Sequence, residues 1–321
     1  MGKKIVVGID GGGTTTVALA ADTDGNILAQ VSGNTINYNS VGMDKARSNM
    51  RSVFSELCEK CGTERFDAVF IGMSALYKEA DEEEVYAFAN GIIPADRVMM
   101  NSDLYVALQS SGVSAECVLV ISGTGSMVIS RDAGGVIHET GGWGYLLGDQ
   151  GSAFSIAINA IKTAVTSADG VTSETSLLPA VMKFFNIDEP RLLIDRFYDP
   201  VISRDAVASF APFVADCAEN GDETALGIIC SEAEFLAKVC CTAIGKLRTH
   251  SVPVLTYGGV FLHNEMFRDI FGRRVKEKYP ECSVGMLSTP PQLGAVYSCI
   301  ENCTAELRET LRNNYFKMIN K

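Results

Sequence analysis

Residues 8–25 read GIDGGGTTTVALAADTDG, so three glycines and three threonines follow an apolar run that ends in an acid. Ordering glycine costs more conformational entropy than ordering any other residue. A run of three ordered glycines is therefore expected only where a favourable interaction offsets this entropy cost. Either a tight hairpin turn or a backbone cradle for an anion would supply such an interaction, and the rest of the chain decides between the two.

The order of strand, Gly-rich turn and strand occurs in both halves of the chain. A second turn, SGTGS at 122–126, also follows an apolar run. The predicted strands are residues 5–9, 17–21 and 27–31 in the first half and residues 118–121, 127–130 and 136–139 in the second. Helices are predicted to follow in each half. The sequence therefore predicts an α/β protein of two domains that open alike.

The repeated turns favour the anion cradle, because a hairpin alone needs only one or two glycines. Successive N–H groups in such turns form a concave nest for an anion. Threonine hydroxyls add donors, and Asp10 beside the first turn is able to hold a divalent cation through water. Two nests facing each other would clamp a polyphosphate from both sides.

Other phosphate-binding motifs do not fit these turns. A Walker-type loop needs a lysine after its glycines, and neither turn has one. A Rossmann fingerprint needs a third glycine where Thr16 and Val128 stand, and it opens a helix rather than a strand. Both motifs are excluded.

Composition narrows the class of protein further. With 321 residues, of which 47% are hydrophobic, the chain is long enough for two folded domains. The net charge of −12 argues against nucleic acid and anionic membranes as partners. No signal peptide or membrane span is predicted, so we expect a cytoplasmic protein. The ten cysteines are expected to be reduced, with Cys58 and Cys61 at the end of a helix rather than in a redox or metal site.

Four stretches of the chain resemble the motifs of a known family. They are GIDGGGTTT (8–16), LVISGTGS (119–126), GGWGYLLGDQGSA (141–153) and VLTYGGVFLHN (254–264). Three of them are similar to the two phosphate motifs and the adenosine motif of the actin, hexokinase and Hsp70 superfamily. The stretch at 141–153 is similar to a sugar-kinase segment that actin and Hsp70 lack. Over nearly its full length the chain resembles the BadF/BadG/BcrA/BcrD ATPase family, and within it the N-acetylglucosamine kinases.

This resemblance implies a fold and a domain organisation. The implied fold is α/β, with two ribonuclease H-like domains of the actin/hexokinase type and a nucleotide and substrate cleft between them. Residues 1–112 are predicted to form the first domain, and residues 117–300 the second, which carries a helical insertion from Ser152 to about Arg248. Residues 301–321 are predicted to form a helix that packs back on the first domain.

The resemblance also implies an activity and its residues. It implies ATP-dependent phosphorylation of the 6-hydroxyl of an amino sugar, most simply N-acetylglucosamine, with ATP and Mg²⁺ as cofactors. Asp103 would be the general base and Asp10 the metal-binding residue. The implied nucleotide-binding residues are Gly12, Gly13, Thr14, Thr15, Gly123, Thr124, Gly125, Gly258 and Gly259. The implied sugar-binding residues are Asn37, Asp103, Gly142, Trp143 and Asp149.

Most of the sugar-site residues also have an ordinary structural interpretation. Asp103 follows a predicted strand, where α/β sheets bind ligands, but a residue there is equally able to cap the helix that follows, as is Ser102. Trp143 either stacks on a sugar ring or is a buried anchor. Asp149 either accepts hydrogen bonds from sugar hydroxyls or caps the next helix. Asn37 lies in a polar loop, in which a second asparagine is a weaker candidate.

Two other functions remain open at this point. One is an ATP-driven activator of a 2-hydroxyacyl-CoA dehydratase, which needs exposed cysteines that hold an iron–sulfur cluster between two subunits. The other is a sensor that binds sugar or ATP without turnover. A small-molecule sugar is the expected partner, and a homodimer is a generic expectation.

Overall fold

The computed structural model describes residues 3–113 and 115–320. The chain divides into two compact units. The first contains the described residues up to Val113 together with those from Ser288 onward, and the second ends at Leu287. Within the described residues, no helix combines the length and apolar character that a membrane span requires.

The first unit is built on a mixed five-stranded sheet. Its strands are β1 (Ile5–Gly11), β2 (Thr15–Asp22), β3 (Ile27–Asn34), β4 (Phe66–Met73) and β5 (Ala95–Asn101). Their order is β3-β2-β1-β4-β5, with β1 antiparallel to β2 and parallel to β4. The helices of this unit are Tyr38–Val41, Met43–Cys61, Glu82–Ala89, Asp103–Ser110, Pro291–Cys299 and Ala305–Ile319.

The second unit repeats this sheet. Its strands are β6 (Cys117–Ser122), β7 (Ser126–Arg131), β8 (Ile137–Gly141), β9 (Pro253–Tyr257) and β10 (Ser283–Met286). The order β10-β9-β6-β7-β8, with β6 antiparallel to β7 and parallel to β9, matches that of the first sheet strand for strand. The predicted repeat and the predicted α/β class are therefore confirmed.

The helices of the second unit follow its first three strands. They are Ala153–Ala168, Leu177–Phe185, Leu193–Tyr198, Arg204–Ala208, Ala211–Glu219, Glu223–Ile244, Gly259–His263 and Glu265–Lys278, with a 3₁₀ turn at Pro190–Leu192. One continuous apolar core joins them to the sheet, and it includes Val118, Ile156, Phe210, Leu236 and Phe271. Burying side chains of this size contributes about 1.5–3 kcal/mol each.

The predicted end of the second domain at residue 300 is wrong. The helix Pro291–Cys299 belongs to the first unit, where it lies directly on the sheet. A methyl group on Gly8 of β1 would stand 2.3 Å from the Gln292 carbonyl oxygen, and one on Gly294 would stand 2.0 Å from the Val106 carbonyl oxygen. Only glycine permits such close approach of two backbones. The sequence pattern does not reveal it, because the contact joins residues far apart in the chain.

The helix Ala305–Ile319 also packs within the first unit. Its Leu311 and Tyr315 are buried in the same cluster as Val6 and Leu19 of the sheet. The side-chain amide of Asn314 donates to the Gly25 carbonyl oxygen at 2.9 Å, at the turn between β2 and β3. The segment from Ser288 onward thus covers one face of the sheet whose other face packs against Met43–Cys61.

Candidate active site

Two aspartates lie at one edge of the first sheet. Asp10 is the next-to-last residue of β1, and Asp103 is the first residue of the helix that follows β5. Because β1, β4 and β5 run parallel, their carboxyl ends share that edge, where α/β sheets bind ligands. Both side chains are half-buried. The predicted metal-binding residue and the predicted base are therefore neighbours within one unit.

The two carboxyl groups are difficult to ionise together. Burial, and secondarily the charge of Asp103, raises the pKa of Asp10 to about 7. Burial raises the pKa of Asp103 to about 6, although hydrogen bonds from the backbone amides of Leu104 and of Asp103 itself act in the opposite direction. Like charges close together disfavour the second ionisation. A bound cation would relieve this repulsion.

Ser102 caps the helix Asp103–Ser110. Its hydroxyl accepts a hydrogen bond from the Tyr105 amide at 3.2 Å, and its backbone is extended, as an N-cap requires. The Asp103 carboxylate is therefore not needed as the cap. Of the two interpretations of Asp103 drawn from the sequence, the structural one is removed.

The donor set near Asp10 suits Mg²⁺ better than a transition metal. Among the described residues, no group of three or more His, Cys, Asp or Glu side chains is placed to hold a metal ion. Mg²⁺ commonly binds through only one or two carboxylates, together with water and substrate phosphates. Asp10, with Asp103 beside it, offers oxygen ligands of this kind.

The first Gly-rich turn joins β1 to β2 and is open on its outer side. A methyl group placed on Gly13 would meet no atom within 4 Å, and its φ angle lies outside the left-handed region. Gly13, Thr14 and Thr15 are exposed. Nothing inside the protein thus requires glycine at Gly13. The carbonyl of Gly12 is held from behind by the Thr35 hydroxyl at 2.8 Å, which fixes the turn.

Asn37 and Ser74 form a polar pair in the first unit. Asn37 caps the short helix Tyr38–Val41 by accepting from the Asn39 amide at 3.0 Å, and its side-chain amide donates to the Ser74 hydroxyl at 3.0 Å. Ser74 directly follows β4, and its amide donates to the Gly11 carbonyl oxygen at 2.9 Å. Ser74 was not predicted. Its position just after a buried strand is the signal that would have found it.

The second Gly-rich turn is fixed by the segment that precedes the helix Ala153–Ala168. The Ser126 hydroxyl donates to the Gln150 carbonyl oxygen at 2.8 Å, and the Ala153 amide donates to the Gly123 carbonyl oxygen at 2.8 Å. The amides of Thr124 and Gly125 have no partner in the described hydrogen bonds, and both residues are half-buried. A rigid turn with two free N–H groups is a suitable nest for phosphate oxygens.

The predicted adenosine motif lies against this turn. Gly258 has a φ angle of +108°, and a methyl group there would stand 2.3 Å from the Ser122 carbonyl oxygen, so packing alone requires glycine. A cavity of about 770 Å³ opens beside the second Gly-rich turn and the turn at 258–259. Its lining includes Gly123, Thr124, Gly259, His263 and Asn264, together with residues of the helical insertion. The volume is in the range of small-molecule and cofactor sites.

The loop between β8 and the helix Ala153–Ala168 carries the remaining predicted sugar residues. Gly142 needs its glycine, since a methyl group would stand 2.8 Å from the Met127 sulfur at a φ angle of +71°. Trp143 is 74% exposed and is therefore not a buried anchor. Ser152 caps the following helix by accepting from the Ser155 amide at 3.1 Å, so Asp149 is not its cap either.

Asp149 is buried and adopts a positive φ angle of 62°. Its carboxylate accepts from the backbone amides of Ser126 and Gly144, and Arg204 also attracts it. Burial nevertheless dominates and raises the pKa of Asp149. The side chain thus links the loop to the second Gly-rich turn.

The structure groups the predicted residues by unit. Asp10, Asp103, Asn37 and the first turn belong to the first unit, and the other predicted residues belong to the second. A cavity of about 950 Å³ in the first unit is lined by none of them. Besides Ser74, sequence reasoning missed Glu232, whose buried carboxylate accepts from the Gly151 amide, from Ser155 at 2.9 Å and from Asn159 at 2.7 Å.

Two α/β units that each carry a Gly-rich turn after their first strand define an ATPase fold of the actin/hexokinase type, as the sequence predicts. The chain belongs to the BadF/BadG/BcrA/BcrD ATPase family, whose model matches residues 7–296. This confirms the family indicated by the motifs.

Similar proteins span the same length. The N-acetyl-D-glucosamine kinase of Dictyostelium discoideum is 29% identical over 311 residues, which cover 92% of this chain and 97% of the relative. The N-acetylmuramic acid/N-acetylglucosamine kinase of Clostridium acetobutylicum is 26% identical over 304 residues, covering 94% of this chain and 99% of the relative. A Chromobacterium violaceum protein proposed to be an N-acetylglucosamine kinase has a structure with a TM-score of 0.76 at 22% identity, covering 91% of this chain and 98% of its own. The fold is therefore shared over 91% of this chain.

Proposed function

We propose that the protein is an ATP-dependent sugar kinase that transfers the terminal phosphoryl group of ATP to the 6-hydroxyl of an amino sugar. N-acetylglucosamine is the favoured substrate. The observation that carries the proposal is the half-buried Asp103 carboxylate, which lies at the carboxyl edge of parallel strands and is not used as a helix cap. Family membership and the activities named for the two relatives support it.

In the first unit, Asp103 acts as the general base. With a pKa of about 6 it is ionised at neutral pH, and it is more basic than an exposed aspartate. It accepts the proton of the attacking sugar hydroxyl as the oxygen–phosphorus bond forms and the bond to ADP breaks. Asn37 and Ser74 are the nearby polar groups suited to orienting other hydroxyls of the sugar.

In the second unit, the turn at 122–126 binds phosphate oxygens through the amides of Thr124 and Gly125. The adjacent 770 Å³ cavity takes the nucleoside. When bound through Asp10 and water, Mg²⁺ supplies neutralisation of phosphate charge. Phosphoryl transfer needs little covalent chemistry from the protein, so positioning and charge are the main contributions of these residues.

An N-acetylated sugar is the favoured substrate, rather than one with a free amine, because of Trp143 in the loop between β8 and the helix Ala153–Ala168. The exposed indole of Trp143 offers an apolar surface for a sugar ring or an acetyl methyl group. The names of both relatives include an N-acetylated sugar. The dehydratase-activator alternative has no such support, and all ten cysteines, which lie within the described residues, are buried or half-buried rather than exposed.

A coupled assay of ADP release tests the proposal. Purified protein with Mg-ATP is supplied in turn with N-acetylglucosamine, N-acetylmuramic acid, glucosamine, glucose or no sugar. We expect N-acetylglucosamine to stimulate ADP release strongly, and phosphorus NMR to show a 6-phosphate ester. The matched control is 6-deoxy-N-acetylglucosamine, which keeps the acetyl group and the ring but lacks the acceptor oxygen.

Three outcomes contradict the proposal. ADP release that no sugar stimulates indicates an ATPase with another role. Binding of sugar and ATP without turnover indicates a sensor. Stimulation by the 6-deoxy sugar shows that a hydroxyl other than the 6-hydroxyl accepts the phosphoryl group. Iron in the purified protein and a brown colour would instead support the activator class.

A further inference from the structure

Arg204 is a cation in the second unit that the function described above does not yet use. It is the first residue of the helix Arg204–Ala208 in the helical insertion, and its side chain is exposed. It has no partner among the ion pairs of the described residues, all of which lie within 4.0 Å. Its five N–H donors are thus available to a ligand.

The guanidinium faces the second Gly-rich turn. A methyl group placed on Gly125 would lie 3.8 Å from its Nη1 atom, and the guanidinium carbon lies 6.0 Å from the centre of the Tyr145 ring. Tyr145 belongs to the loop that the Asp149 carboxylate ties to the turn. The aromatic contact restrains the long side chain and so reduces the entropy lost when a ligand binds.

Asp149 attracts Arg204 but forms no ion pair with it within 4.0 Å among the described residues. The carboxylate already accepts from the backbone amides of Ser126 and Gly144. Its Oδ2 atom would lie 2.8 Å from a methyl group on Gly125, closer than the guanidinium. The carboxylate and the guanidinium therefore both lie beside Gly125, and the guanidinium is within reach of a ligand bound there.

Phosphate binding at this turn needs positive charge. Residues 122–126 include no lysine or arginine, and the chain as a whole carries a net charge of −12. The free amides of Thr124 and Gly125 are neutral donors. A guanidinium presents a planar pair of donors that matches two phosphate oxygens, and such charge-assisted bonds are about twice as strong as neutral ones.

We propose that Arg204 binds the β- and γ-phosphates of the nucleotide held at the 122–126 turn and supplies the positive charge that this turn lacks. The inference rests on the proposed function, since it assumes that the turn binds ATP. It assigns to the helical insertion a direct role in nucleotide binding, and it makes Arg204 a contact of the transferred phosphoryl group.

Titration calorimetry with Arg204→Ala tests this inference without any sugar. The probes are ADP, AMP and a non-hydrolysable ATP analogue, each with Mg²⁺. We expect the affinity for ADP and for the ATP analogue to fall about 10- to 100-fold, because hydrogen bonds to charged groups are lost. The affinity for AMP should stay within about twofold, since AMP has no β-phosphate. Arg204→Lys should fall between, because it keeps the charge but loses the planar fork.

The control is Arg196→Ala, which removes an exposed arginine from the neighbouring helix Leu193–Tyr198. It should bind all three nucleotides as the wild type does. Added guanidinium ion should restore part of the ADP affinity of Arg204→Ala but not alter Arg196→Ala. This rescue distinguishes a lost contact from a general loss of folding.

Two results overturn the inference. Equal affinity of wild type and Arg204→Ala for ADP and the ATP analogue removes Arg204 from the phosphate site. Equal loss for AMP and ADP without guanidinium rescue shows that the arginine only supports the fold. Failure of the proposed function gives a different pattern, because the wild-type protein would then bind none of the three nucleotides.

Discussion

Replacing Asp103 with asparagine should stabilise the protein and lower its activity at least about 10²-fold. The asparagine side chain has the size of the carboxylic acid but never ionises. In the wild type, burial opposes ionisation and raises the pKa of Asp103 from 3.8 to about 6. A group that destabilises the fold but is retained at a site is expected where function requires it.

The magnitude follows from the difference in pKa. One pKa unit corresponds to about 1.4 kcal/mol, so ionised Asp103 lowers the free energy of unfolding by about 3 kcal/mol. The folded-state pKa is above the unfolded one, so between about pH 4 and pH 6 the folded protein retains the proton longer. Wild-type stability therefore falls as the pH rises through this range. The variant lacks this loss, and its advantage grows from near zero at about pH 4 to as much as about 3 kcal/mol at about pH 8.

Asp10 adds to the stability that the Asp103→Asn variant gains at high pH. The charge of Asp103 contributes to its raised pKa of about 7, so removing that charge makes ionisation of Asp10 easier. The gain at high pH is measured by urea unfolding at about pH 4.5 and about pH 8, without nucleotide or divalent ions. Exposed Asp44→Asn is the charge-matched control, and its effect should stay below about 1 kcal/mol at both pH values.

The second half of the prediction concerns catalysis. Sugar-stimulated ADP release by Asp103→Asn should fall at least about 10²-fold, the scale of losing a general base, with ATP binding nearly intact. A variant with wild-type turnover would refute the role of Asp103 as base. A stability difference that does not change with pH would refute the argument that burial of its charge destabilises the fold.

Four further substitutions test the packing and the turns. Gly123→Ala should leave the melting temperature within about 2 °C but weaken ATP binding at least about 10-fold, because its methyl group meets only the space proposed for phosphate. Gly258→Ala, whose methyl group would stand 2.3 Å from the Ser122 carbonyl oxygen, should lose more than about 2 kcal/mol of stability. Equal stability and equal ATP binding of the two variants would contradict both predictions. Glu232→Ala should lower the free energy of unfolding, measured with urea, by about 2–4 kcal/mol, because three hydrogen-bond donors lose their buried acceptor. In Gly294→Ala the methyl group would stand 2.0 Å from a backbone carbonyl oxygen, so the first unit should unfold at a lower temperature in calorimetry. An unchanged unfolding temperature would show that the helix is able to shift.

The parts of the fold that local sequence determines were predictable. Strand periodicity and the two Gly-rich turns identify β1, β2, β6 and β7, and their similar order predicts the repeated sheet that the structure shows. β10 was missed because four residues, Ser283–Met286, carry too little pattern to separate a strand from a loop. Its pairing with β9 is a long-range contact that supplies what the local sequence lacks.

The site was predictable only where residues stand in a motif. Asp10 stands near the end of one apolar strand and Asp103 just after another, so their shared edge of the sheet could be inferred. Arg204 and Glu232 have no such signal, since a charge within a helical region looks like ordinary solvent-facing surface. Burial of Glu232 arises from helices paired across more than seventy residues of sequence. Sequence spacing alone does not encode such a contact.

The division of the first unit into two chain segments sets the order of events during synthesis. The second unit is one uninterrupted segment and has everything it needs to fold once Leu287 has left the ribosome. The sheet that carries Asp10 and Asp103 must wait for the helices Pro291–Cys299 and Ala305–Ile319 to cover its open face. At about 5–20 residues per second this delay lasts on the order of ten seconds or more, during which the nascent first unit exposes apolar surface that a chaperone would recognise.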